Sequence, residues 1–151
     1  MVELRPIVDS EQPDLWAAAQ RYWLELMPNA PTIKDPQQRA TYFRRHFLLD
    51  AAHSVYWWAV VGGQNVGFAR VDVHEDADHD GPWAAIRDFF IEPAQRRRGY
   101  GRAFAQAIVA RLQEQGIRQI DLHVRADNPR ALAFWKSCGF DLALYRLRRY
   151  L

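Results

Sequence analysis

The chain has 151 residues, 49% of them hydrophobic and 25% charged, which suits one soluble domain with its own core. A net charge of +2 is too small to make nucleic acid the main partner, and the arginines are clustered rather than spread. Cys138 is the only cysteine, so no intrachain disulfide can form. No signal segment precedes Glu3 and Arg5 and no apolar run approaches membrane-spanning length, so the expected location is cytoplasmic and away from membranes.

Residues 2–8 predict a short first strand, and Arg5 and Pro6 place it at a sheet edge. Residues 13–27 predict a helix, because Leu15, Trp16, Ala19, Tyr22, Trp23 and Leu26 keep a 3.6-residue period. After a proline-rich loop, Asp35-Pro36-Gln37-Gln38 reads as an N-cap, a first-turn proline and a capping-box glutamine. That second helix should run to about Leu49, with Phe43, Phe47 and Leu48 inward. Residues 55–61 form a β run, Gly62-Gly63-Gln64-Asn65 a hairpin turn, and residues 66–73 the returning strand. Trp57 and Trp58 fall on opposite faces of the first of these, so at least one is core. A polar loop over 74–81, His-Glu-Asp-Ala-Asp-His-Asp-Gly, precedes the central strand.

Residues 86–116 organise the rest. An apolar strand over 86–91 breaks at Glu92-Pro93, and the loop Gln95-Arg96-Arg97-Arg98-Gly99-Tyr100-Gly101-Arg102 leads into a helix. Phe104, Ala105, Ile108, Val109 and Leu112 give that helix one apolar face. The first turn of a helix leaves backbone N–H groups unpaired at the positive end of its dipole, so strand, glycine turn and helix start make an anion site. Gly99 and Gly101 allow close approach to the backbone, and the four arginines add charged donors. The spacing is not that of a P-loop, which needs Gly-Lys-Ser/Thr after four residues, and a dinucleotide fingerprint lacks its third glycine. Downstream, residues 120–124 alternate as a strand, Asn128-Pro129-Arg130-Ala131 opens a helix, and Cys138-Gly139-Phe140 closes it.

Arg96-x-x-Gly99-x-Gly101 after a strand ending at Pro93, together with the strand, Asn-x-x-Ala helix and Gly-Phe ending that follow, resembles the GCN5-related N-acetyltransferase (GNAT) family over residues 86–140. The resemblance implies an α/β fold: a mostly antiparallel twisted sheet with strands 86–91 and 120–124 parallel and splayed, flanked by about four helices. It implies transfer of an acetyl group from acetyl-CoA to a primary amine of a small molecule or peptide, with a non-catalytic acyl-CoA-binding module as the alternative. Pantetheine would run along the backbone of Phe89, Phe90 and Ile91, and pyrophosphate would rest on the N–H groups from Arg96 through Tyr100 to Gly101. Asn128 would contact pantetheine, and Trp135 borders the same cleft. Arg96 fills the motif's first position; Arg97, Arg98 and Arg102 either attract the 3′-phosphate or stay in solvent.

The chain departs from the family at its proton carriers. Trp135 stands where a tyrosine commonly protonates the leaving thiolate, and indole cannot. Arg87 stands where relatives keep a base. Asp88 is the expected proton acceptor, although a regular strand would turn it to the other face and only a bulge would correct that. Asp72, Glu75 and ordered water compete for the role, and Asp72 and Glu75 are also expected to receive the acceptor. His74 and His79 admit a metal reading, but an acidic lip of Asp76, Asp78 and Asp80 that collects a cationic amine fits the composition better. The short tail is similar to that of the aminoglycoside 6′-N-acetyltransferase branch. Residues 141–151 predict one partly buried strand whose unpaired edge invites a two-fold homodimer.

Overall fold

The computed structural model describes residues 1–49 and 51–151. Five strands, β1 (Glu3–Pro6), β2 (Ser54–Val61), β3 (Gln64–His74), β4 (Trp83–Ile91) and β5 (Ile120–Leu122), lie side by side in chain order. The first four pair antiparallel, and β5 joins β4 in parallel. Between them run α1 (Gln12–Leu26), α2 (Pro31–Lys34), α3 (Pro36–His46) and α4 (Tyr100–Glu114), and α5 (Pro129–Ser137) follows β5. The α/β, splayed-sheet architecture read from the sequence is the one present.

Side-chain alternation along the strands divides the core between the two faces of the sheet. Trp57, Ala69, Val71, Ile86 and Ile91 pack with Phe104, Ile108 and Leu112 of α4 and Trp135 of α5. Trp58, Phe68 and Phe90 pack on the opposite face with Trp23 of α1, Ile33 of α2 and Phe43 of α3. Both tryptophans of β2 are therefore core. Local signals act as their chemistry dictates: the Asp35 carboxylate accepts from the N–H groups of Gln37 (2.8 Å) and Gln38 (3.4 Å), which fixes the start of α3. Gly62 and Gly63 take the positive φ angles, 56° and 80°, that a two-residue hairpin turn requires.

Two features set the site. Pairing of β4 with β5 runs from Ala84↔Ile120 to Ile86↔Leu122 and stops, so the β5-facing edge of β4 is free from Arg87 onward. On the other side, Arg70↔Asp88 is followed by Val71↔Ile86, which leaves Arg87 without a β3 partner: a bulge. Gly67 lies opposite Ile91, and a Cβ there would sit 2.1 Å from the Phe90 carbonyl oxygen and 2.9 Å from Ile91 Cδ1.

Two expectations are corrected. Leu48 lies beyond the end of α3 at His46 and is 48% exposed rather than inward. Residues 141–151 form no strand, and their side chains are exposed, Leu144 at 69% and Leu147 at 93%. A strand needs a neighbour at hydrogen-bond distance, and β5, only three residues long, makes no backbone bond to the tail. Gly67→Ala should destabilise the fold by about 3 kcal/mol in urea denaturation, because a methyl at this crossing displaces backbone rather than a flexible side-chain end.

Candidate active site

The bulge decides which charges share a face. Arg70 and Asp72 are two apart on β3 and point the same way; Asp88 ion-pairs with Arg70 (2.9 Å) and Arg87 with Asp72 (3.1 Å). Consecutive residues of β4 thus face one side, which a regular strand forbids. The Ser54 hydroxyl donates to Asp72 at 2.7 Å. Arg70 also donates to the His46 carbonyl and lies over the Phe47 ring at 5.4 Å.

The Arg70–Asp88 pair is a charge contact without a hydrogen bond, since neither Arg70 Nε nor Asp88 Oδ2 finds a partner of suitable angle. Burial raises the Asp88 carboxyl, and Arg70 works against that rise. Burial, with the negative field of Asp88, lifts the Tyr22 and Tyr42 hydroxyls on the same side. Asp72 and Asp88 therefore meet on one face, each held by an arginine. Glu75 stands apart from them, exposed in the loop after β3.

That loop is more ordered in its contacts than its composition suggests. Asp76 accepts from Trp83 Nε1 (2.7 Å) and meets His79 Nδ1 (2.6 Å), while His79 and His74 each stack on the Trp83 ring, at 4.5 and 4.6 Å. Bonds from His79 and Trp83 hold the Asp76 carboxyl below its usual range. The two histidines expected as alternative metal ligands are ring partners of one tryptophan.

At the far end of β4 the anion site takes shape. Gly99 is the N-cap of α4 at φ 80° and offers no capping side chain, and the first helical bond runs from the Ala103 N–H to the Gly99 carbonyl at 3.0 Å. Among the described residues no backbone carbonyl meets the N–H groups from Arg97 to Gly101, so they point to a ligand or to water. Arg97 itself has a positive φ of 62°, part of the same tight turn. A Cβ on Gly101 would touch Phe134 at 3.5 Å and Ile91 at 3.8 Å, ordinary contacts, so Gly101 lies against α5 and β4 without crowding.

The arginines divide as side chains. Arg96 donates to the Ile91 carbonyl (2.9 Å) and to Glu25 (2.7 Å), tying the loop to α1. Arg102 donates to the Ser137 carbonyl at 3.2 Å and ties α4 to α5. Arg97 and Arg98 make no ion pair among the described residues. Asn128 caps α5 through Oδ1, accepting from the Ala131 N–H at 3.1 Å, which leaves its amide nitrogen as donor. Trp135, 8% exposed, packs on Phe89 (4.8 Å) and Phe140 (5.3 Å).

An uncapped helix start beside a free strand edge fits a long ligand with a phosphate at one end and amides along its arm. A profile of the acetyltransferase (GNAT) family matches residues 15–140. The chain belongs to the GNAT family. It is an acetyltransferase, and acetyl-CoA, which supplies the acetyl group as a thioester, is its co-substrate. The aminoglycoside N(6′)-acetyltransferase type 1 of Stenotrophomonas maltophilia is 27% identical over 144 residues, 93% of this chain and 90% of that one. In fold, the chain is similar to the YycN protein of Bacillus subtilis (TM-score 0.80, 20% identity, 100% of this chain and 99% of that one). It is also similar to the aminoglycoside N-acetyltransferase AAC(6′)-Iy in complex with CoA (TM-score 0.68, 18% identity, 99% and 96%).

Sequence reasoning missed one residue at the opening. A groove of about 140 Å³ between β4 and β5 is lined by Trp83, Arg87, Asp121 and His123 among others. The alternation of Asp121 and His123 against the inward Ile120 and Leu122 was the available signal. Gly101→Asp should weaken CoA binding about ten-fold or more in calorimetry with the fold intact, because it adds an anion where unpaired N–H groups gather. Gly99→Asp should weaken binding as well and cost stability too, since only glycine sits at φ 80° without strain.

Proposed function

We propose that this GNAT chain acts as one acyltransferase domain that moves the acetyl group of acetyl-CoA directly to a primary amine of a small polycationic acceptor. The bulge at Arg87 carries the reading. It turns Asp88 onto the face of Asp72, beside the edge of β4 that β5 leaves free. Pantetheine would bond that edge around Phe89 and Phe90, Arg97 and Arg98 would attract its phosphates, and Asn128 would donate to its arm. The Ile91 carbonyl is already engaged by Arg96 and takes no part.

Asp88 and Asp72, each paired with an arginine, offer carboxylate oxygens that orient the acceptor ammonium, with Glu75, Asp78 and Asp80 of the exposed loop collecting it from solution. Asp88, the residue expected to take the proton, is assigned instead an orienting role, because it lies largely buried against Arg70, with burial raising its carboxyl and Arg70 opposing that rise. The relative that acts at the 6′ position of aminoglycosides supports an acceptor of this class. Assay of thiol release with sisomicin, spermidine and a peptide with N-terminal alanine tests the reading. Turnover of the two polyamines is expected, with KM about ten-fold higher in Asp88→Asn, the scale of one charged hydrogen bond. Acetylation of the peptide alone would reject it.

We propose also that the enzyme is a homodimer joined through residues 141–151 and works in a reducing, cytoplasmic setting that suits the free thiol of Cys138. No helix is long and apolar enough to cross a membrane among the described residues. The tail exposes Leu144, Tyr145, Leu147 and Tyr150 at 69–93%. Among the described residues no backbone bond links this tail to β5. A partner's tail laid along the free edge of β5 would cover both apolar arms and satisfy that edge. Light scattering at micromolar concentration should report a dimer for the full chain and a monomer for a chain ending at Phe140. A monomeric full chain would reject the assembly.

A further inference from the structure

We infer that the imidazole of His123 accepts the proton that the acceptor nitrogen loses during transfer, an assignment that rests on the acetyl-transfer reading above. The last parallel pair of β4 and β5 is Ile86↔Leu122, with both side chains toward α4. His123 is the next residue of the chain beyond β5, on the opposite face with Asp121, whose register partner is Ala85. Arg87, the next residue on β4, sits across from it. His123 therefore stands where the strands part, on the face that carries Asp72 and Asp88. It lines the groove with Trp83, Arg87 and Asp121 and is exposed to solvent.

The other groups on that face are poorly suited to receive a proton. Asp88 is largely buried against Arg70, away from the water that must carry a proton off, and Asp72 is held by Arg87 and Ser54. The Tyr22 and Tyr42 hydroxyls are pushed up by burial and stay protonated. Arginine does not titrate in this range. Imidazole is the side chain whose ordinary titration lies near neutral pH, and it can pass a proton to water from one nitrogen while the other faces the groove. The charged groups facing it are the Arg87 guanidinium of β4, whose charge Asp72 offsets, and Asp121 of β5, which also accepts from Gln119 at 3.3 Å.

The balance closes without another reagent. The acceptor enters as an ammonium with three protons and leaves as an amide with one. The nitrogen–carbon bond forms as the carbon–sulfur bond breaks and the electron pair leaves on sulfur. One of the two protons lost ends on the sulfur, delivered by solvent, and the other goes to His123 and then to water. A base must be unprotonated to act, so kcat/KM should rise with pH along an acidic limb that reports the free imidazole.

The test compares wild type, His123→Gln and His123→Glu, with sisomicin and spermidine as acceptors. In His123→Gln the acidic limb should vanish and kcat fall about a hundred-fold, the usual scale for one proton-transfer group. CoA affinity by calorimetry should not change, which shows the fold and cofactor site intact. His123→Glu should recover part of kcat with its limb displaced to lower pH. Independently of turnover, the imidazole NMR signal that disappears in His123→Gln should titrate with its midpoint at the wild-type limb. An unchanged limb in His123→Gln, or a midpoint away from the limb, overturns the assignment alone. No product from either amine with wild type overturns the acceptor reading and this assignment together.

Discussion

Everything at the site depends on a strand that loses its partner half-way along. β4 is paired on both sides as far as Ile86, and past that residue only on the side of β3. A buried backbone edge without bonds is costly, so the opening is tenable only if a ligand or water supplies them. The fold therefore specifies an extended, amide-bearing ligand before any side chain is considered. The chain has to keep the other side of β4 tight while this side stays open. Gly67 opposite Ile91 does this, since its missing Cβ lets β3 come close to the Phe90 carbonyl. The bulge at Arg87 adds the local twist that turns the end of β4 away from β5.

The charges around the opening follow from the same bulge. Two acids and two arginines are brought to one face, and they pair off as Arg70–Asp88 and Arg87–Asp72. A half-buried ion pair adds little net stability, because desolvation offsets most of the attraction. Its effect is on what the face presents. Asp88 keeps a carboxylate oxygen that has a charge partner but no hydrogen bond, and the surrounding tyrosines stay neutral. The carboxylate oxygens of such a face can orient an ammonium, while the exposed imidazole at the strand opening is the group with ready access to water.

Local signals made most of the fold legible in the sequence. The periodicity of α1, the Asp35 cap, the paired glycines of the hairpin and the Gly99–Gly101 turn each act within a few residues, and each is where the sequence places it. Whatever depends on pairing between distant segments was hidden. The bulge is a mismatch between β3 and β4, which neither strand records alone, so the facing of Asp88 could be stated only as a condition. Arg96 and Arg102 have partners, Glu25 and the Ser137 carbonyl, that lie far away in sequence and that no local motif records. The tail read as a strand because alternation fixes faces but not a neighbour, and its own subunit gives it none.

Trp135 shows how a residue that looks like a loss of chemistry can serve the opening. Where β5 no longer supports β4, something else has to hold the strand in place from below. The indole packs edge-on against Phe89 at 4.8 Å and Phe134 at 5.0 Å, and Phe140 closes the cluster at 5.3 Å. Phe89 stacks in turn on Phe104 of α4 at 5.1 Å. Aromatic contacts of this geometry add about 0.5–1.5 kcal/mol each beyond the area they bury, and a phenol in the same place would offer a smaller ring and a hydroxyl needing a partner. The wedge keeps α5 under the parted strands and fixes Phe89, on whose backbone the open edge depends. Indole does not titrate in the working pH range, so the protonation of the departing sulfur is left to solvent. The site thus separates two tasks: a rigid, dry aromatic floor under the opening, and proton traffic at its wet rim.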